Sequence, residues 1–351
     1  MAKLMHTGSV KDFYVIEEPT DRSFGKGYLY FKQRPDGTGP ISIFDLKERF
    51  PFGIKGKDKA IYDEAVHFFE LMKENGIPTH YLGKAGDRKI LVYVAHIPPK
   101  DRWEEWVRER KTEPFLVPIE VIISNIVTPV ASLHRRLRTG KAKPEKYGLT
   151  RPPKRYETIV LPEPAVTTST KLEETDVYRD DLFDVLGLTE EKRKELIDLA
   201  MKANDIARRD AAEVGLDLAD GKFEFIMGPE GNLYICDTFA TSDENRFLAE
   251  TRDGRKVDLS KQFLRNLYTI TGYKEKLIAA QDSGLPFEKW PVPEHLDEKT
   301  LRVVEKAYSV VHQELCRKYM GLNLLDVATE VQDTLDRFKE KYRRDETGER
   351  I

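Results

Sequence analysis

Cysteine is scarce: the 351 residues contain only Cys236 and Cys316. Two thiols so far apart make neither a disulfide framework nor a metal-ligand spacing, and a reducing cytoplasm is the expected compartment. Long apolar runs are also missing. No stretch approaches the roughly 20 residues of a membrane span, so no membrane partner is expected. Met1-Ala-Lys-Leu-Met-His6 lacks the apolar core of a signal peptide. Neither charge dominates: 58 Lys and Arg stand against 61 Asp and Glu, a net of −3. That balance argues against a nucleic-acid partner and against an acidic tail. Internal repeats and low-complexity blocks are absent. What remains is 40% hydrophobic and 34% charged, and long enough for two domains or one large α+β body.

The densest chemical pattern is Asp220-Gly-Lys-Phe-Glu-Phe225, then Gly228-Pro-Glu-Gly231, then Leu233-Tyr-Ile-Cys-Asp237. The alternation and the glycine-proline turn predict a β-hairpin. Lys222 and Glu224 then share one face, Phe223 and Phe225 take the other, and Asp237 can converge with Glu224. Two carboxylates offer hard oxygen ligands to Mg²⁺, and the lysine offers a cation to nucleotide phosphates. Lys222, Glu224 and Asp237 are therefore candidate catalytic residues, with Glu224 and Asp237 as metal ligands. A solvent-facing Lys–Glu ladder would show the same alternation.

Upstream, Gly8 and Ser9 precede Lys11 between two strand-like segments. Such a turn can fold over phosphates, although an ordinary hairpin reads the same way. Ile61, Ala65, Phe68, Phe69 and Met72 form one stripe, and Asn75-Gly76 ends it, which predicts a helix over 60–75. Residues 101–111, with Trp103 and Trp106, read as a charged surface segment. Residues 115–123 read as a buried strand interrupted by Pro118, followed by a small-residue loop from Ser124 to Ser132. His134, Arg135, Arg136 and Arg138 then offer either a phosphate site or a solvated helix end.

Residues 140–170 are proline-rich and read as an irregular connection between lobes. A long helix over 189–215 is capped by Thr189 and ended by Gly215. From about 298 the chain is helical. Leu322, Leu324, Val327, Val331, Leu335 and Phe338 form a stripe that faces the core or a partner, a candidate homodimer surface. Residues 340–351 are expected to fray.

Several segments together carry a family resemblance. Gly8-Ser-Val-Lys-Asp-Phe-Tyr14, Ile41-Ser-Ile-Phe-Asp45, Phe68-Phe-Glu-Leu-Met-Lys-Glu-Asn-Gly-Ile-Pro-Thr-His80 and Val117-Pro-Ile-Glu-Val-Ile-Ile-Ser-Asn125 come first. Thr170-Lys-Leu-Glu-Glu-Thr-Asp176, Lys202-Ala-Asn-Asp205, the Asp220 hairpin, Cys236-Asp-Thr-Phe-Ala-Thr-Ser-Asp-Glu-Asn-Arg-Phe247 and Ser260-Lys-Gln-Phe-Leu-Arg265 follow in order. The chain resembles the SAICAR synthetase family, ligases that use ATP to join aspartate to carboxyaminoimidazole ribotide (CAIR).

The resemblance implies an α+β, two-lobed fold, ATP-grasp- or kinase-like, with ATP between the lobes. It implies an ATP-binding lobe over 1–116, a catalytic and substrate lobe over 117–297 and a helical extension over 298–351. Gly8, Ser9 and Lys11 would hold ATP phosphates, and the backbone of Phe115, Leu116 and Val117 would line the adenine. Lys222 would contact the nucleotide, while Glu224 and Asp237 would carry Mg²⁺. Ser132 and Arg246 match positions that hold the ribotide phosphate. Ser42, Ser124, Asn125, Asp243, Lys261 and Arg265 fall in the segments expected to face the CAIR-like ribotide and aspartate. The implied reaction passes through an acyl phosphate, with alignment and charge neutralisation supplying the rate.

The chain departs from the family on the substrate side. Ser124 stands where the family has Arg, a loss of roughly 1.5–3 kcal/mol of phosphate contact unless replaced. Arg135 is the candidate replacement, since the preceding loop is longer. Thr38-Gly-Pro40 replaces an acidic and a basic residue, and Asp237-Thr238 replaces Asp-Glu. Two further readings stay open: a paralogous amide ligase with another carboxylate or amine, and an ATP-binding regulatory or structural protein without turnover.

Overall fold

The computed structural model describes residues 2–109, 113–171 and 182–350. Leu172–Asp176 of the Lys-Xaa-Glu-Glu segment thus lies outside the described residues. The chain opens with β1 (Lys3–Thr7), β2 (Lys11–Glu17) and β3 (Gly25–Phe31). A short pair, β4 (Thr38–Gly39) and β5 (Ile54–Lys55), brackets the loop that carries Ser42. Helix α1 (Lys57–Glu74), β6 (Tyr81–Lys84), β7 (Lys89–Val94) and α2 (Trp103–Glu109) follow. The first sheet is five-stranded and antiparallel, in the order β1-β2-β3-β7-β6.

The second half begins with β8 (Phe115–Val127), α3 (Ser132–Arg138), β9 (Ile159–Thr170), α4 (Leu182–Val185) and α5 (Glu190–Glu213). Then come β10 (Asp217–Met227), β11 (Leu233–Cys236), β12 (Arg246–Glu250) and β13 (Lys256–Asp258). The second sheet runs β13-β12-β10-β8-β9, with β11 also paired to β10. Helices α6 (Lys261–Ile270), α7 (Tyr273–Asp282), α8 (Glu298–Leu315) and α9 (Leu324–Tyr342) close the chain. Single bridges, Thr79 to Ile235 and His96 to Phe115, tie the first half to the second sheet. Among the described residues no helix is long and apolar enough to cross a membrane.

The two long helices form where the spacing predicts. The α1 stripe from Ile61 to Met72 is buried, and Thr189 accepts a hydrogen bond from the Lys192 N–H at the start of α5. Gly215, just past α5, takes φ +79°, which a side chain would resist. Alanines 200, 203, 207 and 211 on α5 are buried, and their small size lets the helix lie close against β8 and β10.

Four expectations give way. Pro118 does not break the strand: β8 runs on to Val127, and Pro118 sits at a bulge instead. The proline lacks an N–H, so the ladder with β10 skips it. Residues 159–170 are no loop but β9, an edge strand, where Pro162 and Pro164 need not donate to a second neighbour. Trp103 and Trp106 are buried rather than superficial, with Trp106 edge-on to Phe115 at 5.9 Å. The C-terminal tail is pinned as far as residue 350. Asp345, 2% exposed, accepts hydrogen bonds from Thr347, Glu349, Arg155 and Tyr156. The apolar stripe of α9 is used inside the chain: Val327, Val331, Leu335 and Phe338 are buried, and α9 packs on α6, α8, β12 and β13.

Candidate active site

The hairpin of β10 and β11 forms in the expected register, with Glu224 beside Cys236. Asp237 follows at φ +56°, a left-handed conformation that costs a non-glycine residue energy. The bend turns its carboxylate toward the first sheet. Lys11 reaches across from β2 and sets Nζ 2.8 Å from Asp237 Oδ1 and 3.1 Å from Glu244 Oε1, with Thr238 Oγ1 also accepting. Burial works against the Lys11 ammonium, but Asp237 and Glu244 outweigh it and raise its pKa. Burial likewise works against the Asp237 carboxylate, and Lys11 and Lys171 hold its pKa well below the usual range. Gly8 lies at the turn before Lys11, where a Cβ would come 2.7 Å from the Lys11 carbonyl oxygen. The turn before Lys11 is therefore fixed by a close backbone approach.

A second cluster sits one strand in. Because of the bulge, Phe225 pairs with Val117 while Glu224 pairs with Glu120. Two buried carboxylates thus lie side by side, an arrangement that repels unless cations intervene. Lys171 Nζ is 2.5 Å from Glu224 Oε1, and Lys222 Nζ is 2.9 Å from Glu120 Oε1 and 3.6 Å from Glu224 Oε1. Ser169 donates to Glu120 Oε2 at 3.2 Å. Burial still pushes the Glu224 pKa up against the pull of Lys171 and Lys222, with Asp237 and Glu120 adding to the rise. Burial opposes both ammonium groups, yet the carboxylates around them raise both pKa values.

Ser124, Asp220 and Arg246 occupy one row across β8, β10 and β12. Arg246 pairs with Asp220 and donates to Gln262 Oε1 at 3.0 Å; Arg265 donates to the same oxygen at 3.2 Å and to the Ile43 carbonyl. Two guanidinium groups therefore converge on one amide oxygen. Lys261 lies 3.5 Å from Asp45, and the Ser42 hydroxyl 3.3 Å from the same carboxylate. Lys274, on α7, sits over the Phe44 ring at 5.3 Å. It has no carboxylate partner among the described residues, and its pKa is lowered by burial and then by Arg265 and Arg135. Arg135 is exposed on α3, which Ser132 opens.

Not every expected residue faces this region. Strand alternation turns Asn125 away from Ser124. The Asn125 amide exchanges hydrogen bonds with Asn204 at 3.1 and 2.9 Å and donates to the Leu218 carbonyl at 3.0 Å, which clamps α5 to the sheet. Asp243 does adjoin this region: Lys57 Nζ stands 2.8 Å from its Oδ1, and Lys261 and Arg265 interact with its carboxylate. Phe115, Leu116 and Val117 pair with β10, and the Leu116 N–H donates to the His96 carbonyl at 2.8 Å.

Glu120, Lys171, Glu244, Lys57 and Lys274 escaped notice as site residues. Glu120 and Lys171 lie inside segments that carry the family pattern, so each had a signal. Glu64 had none, since its position on α1 reads as one more helix charge. It is fully buried, and the Ser242 N–H and hydroxyl each donate to Glu64 Oε2 at 2.8 Å.

Two antiparallel sheets with packed helices, and lysine-bound carboxylates on the second sheet, make this an α+β protein. The family model for SAICAR synthetase matches residues 4–280. The chain belongs to the SAICAR synthetase family. The phosphoribosylaminoimidazole-succinocarboxamide synthase of Thermoplasma acidophilum is 31% identical over 279 residues, 78% of this chain and 90% of that one. A relative from Archaeoglobus fulgidus, provisionally given the same activity, is 32% identical over 349 residues, 95% of this chain and 99% of that one. In fold, the chain is similar to the Saccharomyces cerevisiae SAICAR synthase complexed with SAICAR, at TM-score 0.61 and 18% identity over 92% of this chain and 97% of that one. A type-2 SAICAR synthetase in complex with ADP gives 0.55 and 22% over 90% and 99%.

Proposed function

We propose that the chain joins L-aspartate to the carboxylate of CAIR with ATP, forming SAICAR through an acyl phosphate in purine biosynthesis. The observation that carries this reading is the lysine–carboxylate network on the second sheet, tied to the first sheet through Lys11. Lys11 bridges to Asp237, and Lys171 and Lys222 bridge to Glu224 and Glu120. Such a network holds negative charge in a buried place and can exchange its lysine contacts for phosphates. Lys11 and Lys222 would bind and orient the nucleotide phosphates, with Gly8 and Ser9 at the turn and the Phe115–Val117 backbone beside the adenine.

Glu224 and Asp237 fit a Mg²⁺ ion: they are all-oxygen donors, and their carboxylates interact with each other. Among the described residues they belong to no group of three potential ligands; Mg²⁺ usually takes one or two carboxylates and completes its shell with phosphate and water. Mg²⁺ bound there would neutralise charge on the phosphates during transfer. Arg246 and Ser132 would hold the ribotide phosphate together with Arg265, while Ser42, Asp243 and Lys261 would face the groups that ligate. The enzyme supplies alignment and fixed charge rather than a covalent nucleophile. The cytoplasm is the compartment for this reaction.

One observation favours a second reading. Ser124 brings no guanidinium to the row of Asp220 and Arg246, which suits a ligase with another carboxylate or amine. ADP release from purified protein, with Mg-ATP, CAIR and aspartate omitted in turn, separates the two. Release that needs all three supports SAICAR synthesis. Clear ATP binding without release sinks it, and a panel of carboxylates and amines follows.

A further inference from the structure

Helix α8 begins well beyond residue 280, where the family model's match ends. Its Tyr308 is nevertheless built into the substrate side. The phenol is 2% exposed and donates to Asp243 Oδ1 at 3.1 Å. Lys57 Nζ approaches the same oxygen at 2.8 Å, donates to the Pro40 carbonyl at 2.9 Å and stands 5.6 Å from the Tyr308 ring centroid. Three segments remote in sequence meet on one carboxylate oxygen.

The backbone beside Asp243 is fixed separately. Glu64 accepts hydrogen bonds from both the N–H and the hydroxyl of Ser242. Lys57 and Tyr308 therefore set the torsion of the Asp243 side chain, not the path of the loop. Both use Oδ1. Oδ2 takes no hydrogen bond from the described residues, while Lys261 and Arg265 are near enough to interact with the carboxylate electrostatically. A carboxylate with one oxygen saturated by buried donors and the other uncommitted is a preset acceptor for an N–H group. It would repel a phosphate or a second carboxylate.

We infer that Tyr308 is a positioning residue: its hydroxyl holds Asp243 so that Oδ2 receives the N–H group of the amine-bearing substrate. The inference rests on the ligase reading above. It gives the C-terminal helices a part in the reaction rather than a role in bulk packing alone.

Tyr308→Phe keeps the ring beside Lys57 and removes only the hydroxyl. Steady-state kinetics on the full chain should show the aspartate KM rising roughly tenfold. The KM for ATP should stay within about twofold, with little change in Tm. Tyr308→Leu should lower Tm as well. A Tyr308→Phe variant with unchanged aspartate KM, or with ATP and aspartate KM raised alike, overturns the inference. If the wild-type protein shows no turnover, the ligase reading fails first. The inference is then read from the thermal shift that aspartate gives with Mg-ADP present. A shift that Tyr308→Phe loses upholds it; no shift in wild type, or equal shifts in both, overturns it.

Discussion

Lys11 and Asp237 stand 2.8 Å apart although they come from different sheets. The contact is a direct charge link from the first sheet to the end of the hairpin where Mg²⁺ is proposed to bind. Lys11→Met should leave Asp237 and Glu244 without the cation they share, with Lys171 still acting on Asp237. Breaking this half-buried pair costs about 1–2 kcal/mol of stability. Turnover should fall by about 100-fold or more, since the same ammonium would neutralise phosphate charge. Chemical denaturation and ADP-release kinetics check the two effects. Full activity with a lowered Tm would leave Lys11 as a structural tie only.

Glu224 and Glu120 offer a finer comparison, because they are neighbours across β10 and β8 and share Lys222. Glu224→Gln removes a proposed metal ligand, so kcat should fall about 100-fold and half-activation should need more Mg²⁺. Glu120→Gln removes only the partner that orients Lys222, and the loss should be closer to about tenfold. Magnesium titrations of both variants decide this. Equal Mg²⁺ requirements in wild type and Glu224→Gln would move the ion elsewhere.

The hairpin was legible in the sequence because strand alternation alone puts Lys222 and Glu224 on one face, and Gly228 to Gly231 marks the turn. The helices of α1 and α5 were legible for the same reason, a period that few other structures share. What escaped notice depends on pairing between distant segments. Pro118 reads locally as a strand breaker, and only the β10 partner turns it into a bulge that sets Glu120 beside Glu224. Pro162 and Pro164 read as loop until β9 is known to be an edge. Asp345 reads as a frayed end until Arg155 and Tyr156 meet it. The Ser124 departure was visible, but the unpaired Lys274 near Phe44 was not, because α7 and the Ser42 loop meet only in the folded chain.

Lys274 lies over Phe44 with Arg265 and Arg135 as its interacting cations; Arg265 has Asp45 at 3.8 Å, but Lys274 has no carboxylate of its own among the described residues, and a phosphate would supply its counter-ion. Lys274→Ala should raise the ribotide KM roughly tenfold and leave that for ATP unchanged. Arg135→Ala should act in the same direction. Repeating the measurement with the dephosphorylated ribonucleoside provides the control. The lysine effect should vanish there, and an effect of equal size on both compounds would place Lys274 outside the phosphate site.

Glu64 gives the protein a pH dependence that no catalytic residue is needed to explain. Burial pushes its carboxyl pKa up to about 8 from 4.5, against the opposing Ser242 N–H and hydroxyl donors, and Asp243 and Asp63 add to the rise. The folded chain therefore holds a proton on Glu64 that the unfolded chain releases across that window. The stability due to this proton is complete below pH 4.5 and is lost as the pH rises through about 8. Glu64→Gln keeps an acceptor for Ser242 and cannot ionise. Its Tm should match that of wild type near about pH 5 and exceed it increasingly toward about pH 9. Thermal unfolding of both proteins across that range, in one buffer series at constant ionic strength, measures the divergence. Curves that stay parallel would mean that Glu64 keeps one protonation state throughout, and that the Ser242 loop is held without help from a buried proton.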